Sequence, residues 1–284
     1  MDLLPIEFYE DLLSSYFNYT FSQSYLDLSG TFGHCAEEFK KKGSRKCVNI
    51  KNGAIDAIDY YDIFWKPKQP ESVVQASQFR LNKVVKFYGR ENSNSAIDEK
   101  LKKQLKKFLL ERGMLCLVLE STKLNQAWIE LFSSWRSLNF VFIDALNDSV
   151  YTLLQKLLDQ EQLHYLYLHC AIPSSKETNL ICEFLEQPQL LNVVFTKTYQ
   201  EEVKSAVISR WKENMEQFAG KFVEWHGFQK LHDGSFRGLK RRCASFVQYQ
   251  KENLIVEYLN ADATDETTEE EFMKNVTRSG LFFA

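Results

Sequence analysis

Four segments in the middle of the chain repeat the form L-x-x-L-x-L with hydrophobic equivalents: Met114-Leu117-Leu119, Leu138-Val141-Ile143, Leu163-Leu166-Leu168 and Leu190-Val193-Phe195. Their starts lie 24, 25 and 27 residues apart. Between them run helical patterns: Leu124, Trp128, Leu131 and Phe132 share one helix face, as do Val150, Leu153, Leu154, Leu157 and Leu158, and Leu180, Ile181, Phe184 and Leu185. Ahead of the first segment, Leu101, Leu105, Phe108 and Leu109 face inward from a lysine-rich helix, with Gly113 placed to cap it. The unit is one helix and one strand, too small to bury its own apolar face, so neighbours must stack.

The spacing falls in the window of roughly 20–29 residues of leucine-rich repeats, although the Asn or Cys expected at the ninth position is missing and Cys170 sits one place early. We therefore expect an α/β fold: an irregular leucine-rich-repeat-like solenoid with a parallel sheet, joined by right-handed crossovers. The alternative is an unrelated α/β domain in which strands and helices merely alternate. Flanking strands are expected at 79–88 and near Lys221–Trp225, a helix over about 200–212 (Val203, Val207, Trp211), and a final strand at Leu254–Leu259. Residues 1–45 form an N-terminal helical segment, 46–260 the repeat-like domain, and 261–284 a C-terminal tail. In that tail Thr268 and Glu271 are spaced for a capping box after an acidic run.

Composition narrows the classes. With 11 Gly and 5 Pro in 284 residues, many-turned β architectures and glycine-rich phosphate loops are excluded, because both need frequent positive-φ or fixed-φ residues. The 22 Phe, 13 Tyr and 5 Trp supply a large core. A net charge of −3 gives no reason to expect nucleic acid or an anionic membrane. The basic run Lys100–Lys107 reads as a solvated helix face and Arg237–Arg242 as a loop or helix end, although either could bind an acidic partner. An acidic start with no base before residue 12, no long apolar run and six scattered cysteines lead to the expectation of an intracellular protein with neither signal peptide nor membrane span.

No catalytic or metal motif is present in the sequence: no G-x-S-x-G, no H-E-x-x-H and no C-x-x-C. We expect no enzyme, no cofactor and no metal, and name the convergence of His169, Asp144 and Cys116 as the finding that would reverse this. In the repeats the residues between the leucines face the other side of the sheet: Cys116, Val118, Glu120; Phe140, Phe142, Asp144; Tyr165, Tyr167, His169; Asn192, Val194, Thr196. Phe140, Phe142, Tyr165, Tyr167 and His169 form a candidate partner-binding patch, unless another segment covers it.

The N-terminus carries a family resemblance. Leu4-Pro5-Ile6-Glu7, then Phe8, Leu12 and Leu13, then Leu26, Leu28-Ser29-Gly30, Phe32 and Ala36 resemble the F-box pattern, and with the repeats and the tail (Thr268–Met273, Leu281–Ala284) the chain is similar to the expanded nematode F-box-like families. Phe32 stands where the pattern has Trp, and Tyr16–Tyr25 is polar and aromatic where a leucine-rich helix is usual. The resemblance implies a three-helix module docking a Skp-type adaptor of a cullin-RING ubiquitin ligase through Leu4, Pro5, Leu12 and Leu13, with Leu28 and Phe32 holding the module together. It also implies an unidentified protein target on the repeat domain. Two other readings of the same segment are a cap on the first repeat and, for the whole chain, a binding scaffold that recruits no ligase.

Overall fold

The computed structural model describes residues 5–9, 13, 30–70, 80–88, 97–120, 123–197, 199–243 and 245–284. The chain divides into two compact units, Met1–Val141 and Phe142–Ala284. Both are α/β, and the repeat strands that pair within a unit run parallel.

In the first unit, helix α1 (Gly30–Lys42) leads into a hairpin of β1 (Ser44–Lys51) and β2 (Ala54–Asp62). The turn is Asn52-Gly53, both at positive φ (50° and 82°), the combination that matches a two-residue hairpin to the strand twist. Strand β1 then pairs in parallel with β3 (Arg80–Tyr88), and β3 with β4 (Met114–Glu120), giving the order β2-β1-β3-β4. Helices α2 (Glu99–Leu109) and α3 (Gln126–Ser133) supply the apolar layer. Phe87 meets Trp128 at 4.6 Å between ring centroids, and Trp128, Phe132 and Trp135 continue the cluster. Strand β5 (Leu138–Ile143) contains the division between the units.

The second unit continues with α4 (Asp148–Leu158), β6 (Tyr165–Leu168), α5 (Ser175–Glu186), β7 (Asn192–Phe195), α6 (Glu201–Glu213), α7 (Met215–Phe218) and β8 (Phe222–His226). Strands β6, β7 and β8 are parallel neighbours. The chain then turns antiparallel through β9 (Arg237–Cys243), β10 (Phe246–Lys251) and β11 (Leu254–Leu259). After α8 (Glu269–Lys274), β12 (Arg278–Phe283) inserts between β8 and β11, so the order is β6-β7-β8-β12-β11-β10-β9.

The repeat leucines are all buried. Met114, Leu117, Leu119, Leu138, Val141, Ile143, Leu163, Leu166, Leu168, Leu190, Val193 and Phe195 are each in the core. The last two of each segment share one face of their strand, as period-2 alternation requires, whereas Met114 and Leu138 open β4 and β5 with the opposite parity. The Thr268–Glu271 capping box forms as expected. Two expectations are corrected. Gly113 does not cap α2, which ends in an αR residue, Leu110; Gly113 instead supplies the positive φ (99°) of the turn into β4. Leu254–Leu259 is not the last strand, since β12 follows it, and residues 261–284 thus contribute an interior strand with partners on both sides. The hairpin at 44–62 went unanticipated, although Asn52-Gly53 signals it.

Side chains close several helix ends here, beside Gly43, whose N–H donates to the Phe39 carbonyl at the end of α1. The last carbonyls of a helix have no partner within it. Gln187 Nε2 donates to the Leu158 carbonyl at 2.5 Å, closing α4. The buried Lys221 donates to the Gln187 and Leu190 carbonyls beyond α5. In the first unit Lys83, also buried, donates to the Leu109 and Glu111 carbonyls at 2.7 and 2.6 Å, closing α2.

Candidate functional site

The two faces of the sheet in the second unit differ. On one, Leu166, Leu168, Val193, Phe195, Val223, Trp225, Val256, Tyr258, Leu281 and Phe283 are at most 2 % exposed. The helix residues Trp211 and Phe218 meet Phe283 there at 5.7 and 5.3 Å, and Tyr199, just before α6, meets Trp225 at 5.8 Å.

The opposite face is built in three rows, read directly from the register. The first is Tyr165, Asn192, Phe222, Phe282 and Ile255, all half-buried. The second is Tyr167, Val194, Glu224, Gly280 and Glu257. Gly280 is required because a Cβ there would lie 2.3 Å from the Phe222 ring. The third runs along the strand ends, with Thr196 beyond β7, His226 ending β8 and Arg278 paired with His226 across β8 and β12. His169 joins this row: its N–H donates to the Ile143 carbonyl at 2.7 Å, its Nδ1 lies 2.6 Å from Thr196 Oγ1, and its ring stacks on Phe142 at 5.9 Å.

The electrostatics of this face centre on Glu224, whose side chain is 9 % exposed and whose Oε1 lies 3.5 Å from Arg278 Nη1 and 3.7 Å from His226 Nε2. Burial raises its pKa above the ordinary glutamate value, and the Arg278 guanidinium opposes that shift. Burial, then the Arg278 and His169 charges, lower the pKa of His226. Burial and the Glu224 charge hold the Tyr167 phenol firmly protonated.

Of the expected partner-binding residues, Phe140 (2 % exposed) and Tyr167 (8 %) are buried, so neither offers its ring to a partner as the expected patch requires. Phe140 lies in the first unit. Phe142, Tyr165 and His169 remain half-buried in the second. The residues sequence reasoning missed are Glu224, His226 and Arg278. Arg278 reaches this face only because β12 returns from the C-terminus, and no local signal marks that pairing.

At the N-terminus, Leu4, Leu12 and Leu28 lie outside the described residues. Pro5 is exposed, as are Ile6 (46 %) and Phe8 (47 %). Leu13, in contrast, is fully buried with Tyr9, Cys35, Ala36, Phe39 and Ile63, and Phe32 packs against this cluster. Leu13 is therefore a core residue and not a docking contact.

His169 and Asp144 do approach, with Nε2 3.9 Å from Oδ1, beyond hydrogen-bonding distance. Cys116, in the first unit, accepts from Asn82 Nδ2 at 3.5 Å, and burial pushes its thiol up to about 11. Burial also raises Cys47 to about 12 and Cys182 to about 11, the opposite of the depressed values that make cysteine a nucleophile. Among the described residues no group of three or more metal-ligating side chains converges, and no helix is long and apolar enough to cross a membrane. No family model, no curated protein and no solved structure matches this chain.

Proposed function

We propose that this chain is a non-catalytic recognition subunit: a leucine-rich-repeat-like solenoid that holds a protein target, joined to an F-box-like segment over residues 1–45 that docks a Skp-type adaptor of a cullin-RING ubiquitin ligase. The observation that carries the target-holding part is the asymmetry of the second unit. One sheet face is sealed by helices, while the other presents half-buried Phe142, Tyr165, Phe222 and Phe282 beside a charged row. Aromatic side chains supply large contact area at small entropic cost, which suits them to anchor a partner. A ligase subunit of this kind needs no chemistry of its own, since keeping a target close raises its effective concentration at the transfer site.

The docking part rests on the Leu4-Pro5 start and the exposed Pro5, Ile6 and Phe8, with Leu12 a further candidate. It is tested by co-expressing the chain with the adaptor. Joint purification is expected, and it should be lost in the Leu4→Asp/Pro5→Asp variant without loss of folding. A folded wild-type chain that never retains the adaptor overturns it. One observation favours a second reading, a scaffold that binds a target and recruits no ligase: Leu13 and Tyr9 are sunk into the cluster beneath α1, which makes the segment a cap. Target retention without adaptor in the same pull-down supports that reading.

A further inference from the structure

The third row of the open face lies at a chemically distinctive place. Strands β6, β7 and β8 are parallel, so their carboxyl ends fall along one edge, where open α/β sheets bind ligands, especially where strand order changes. Here that change is the insertion of β12 beside β8. His169, Thr196, His226 and Arg278 stand side by side at that edge.

Their heads are layered by charge. The side chains of His169, His226 and Arg278 are 40, 42 and 37 % exposed, whereas the acids beneath them, Glu224 and Asp144, are 9 and 27 % exposed. The surface that a partner meets is thus rich in N–H donors. The acids hold those donors in place: Glu224 sits within 4 Å of both Arg278 and His226, and Thr196 fixes His169 through Nδ1. The basic groups also act against each other, since Arg278 and His169 both disfavour charge on His226. An anion bound among them would relieve this opposition.

We propose that His169, Thr196, His226 and Arg278 form an oxyanion site that takes the carboxylate of an acidic side chain in the bound protein target. This rests on the reading of this face as the target-holding surface, and it adds the class of segment recognised: one bearing Asp or Glu. Arg278 supplies the permanent charge, the two imidazoles supply N–H donors that strengthen when protonated, and the Thr196 hydroxyl orients His169.

The test follows the imidazole Hε1 signals of His169 and His226 in the full-length chain from pH 5 to 8, with and without hexaglutamate. Single His→Gln variants assign the signals. Both midpoints should rise by about 0.5–1 pH unit with hexaglutamate, and neither should move with hexaglutamine. The His169→Gln/His226→Gln double variant should bind hexaglutamate about tenfold or more weakly, a coupling of charge-assisted hydrogen-bond size. Unmoved midpoints overturn the proposal, as does undiminished hexaglutamate binding in the folded double variant. A response to inorganic phosphate but not to hexaglutamate overturns the carboxylate assignment. The chain is measured alone, so failure to retain an adaptor leaves this result standing, and a chain that retains its adaptor but shows no shift loses only this site.

Discussion

Lys221 Nζ donates to the Leu190 carbonyl oxygen at 3.0 Å from a side chain that is 2 % exposed. A buried lysine is costly unless its donors are satisfied. Here they are, because the helix-to-strand turn after α5 leaves carbonyls that nothing in the helix can bond. Lys83 solves the same problem after α2.

Replacing Lys221 with Met should therefore destabilise the chain by about 1–3 kcal/mol, because the buried Leu190 carbonyl loses its donor, while the Gln187 carbonyl keeps the Leu190 N–H. The measurement is a urea unfolding curve. A midpoint within error of wild type would show that water reaches the Leu190 carbonyl.

Leu13→Ala should cost about 2–4 kcal/mol, the range for truncating a fully buried leucine, since Leu13 closes the cluster of Tyr9, Phe39 and Ile63. Phe8→Ala, at an exposed position, should change stability by less than about 0.5 kcal/mol. Thermal unfolding of the two variants separates packing from docking within the N-terminal segment.

The aromatic face should show the same division. Phe140→Ala, at a buried ring, should cost about 3–5 kcal/mol in stability. Phe142→Ala and Tyr165→Ala should unfold near the wild-type midpoint and yet weaken retention of the target about tenfold each, as truncating an anchor residue does. Equal target retention by all three folded variants would remove this face from the binding surface.

Glu224 gives a pH signature. Its folded-state pKa lies above its ordinary value because burial penalises the charged form. The folded chain holds that proton more tightly than the unfolded chain, so this contribution is fully present below the ordinary glutamate range and declines as pH rises toward the folded value. Glu224→Gln removes the titration. Between about pH 4 and pH 7 its unfolding midpoint should move in the variant's favour relative to wild type, and a constant difference across that range would contradict the sign.

The sequence by itself determined the repeat unit and its buried side. The last two hydrophobic residues of each L-x-x-L-x-L segment pack as the alternation demands, because hydrophobic period is a local property of strand and helix geometry. It also determined Tyr165, Tyr167 and His169 as members of the opposite face, and their neighbours Asn192, Val194 and Thr196 in register. Burial depth on that face was decided by tertiary structure: Tyr167 is buried while Tyr165 is half-buried, since coverage depends on neighbouring strands. The charged row was likewise beyond local reading. Glu224, His226 and Arg278 come together because β12 travels back from the C-terminus to lie against β8, and strand pairing over that separation leaves no periodic trace in either segment.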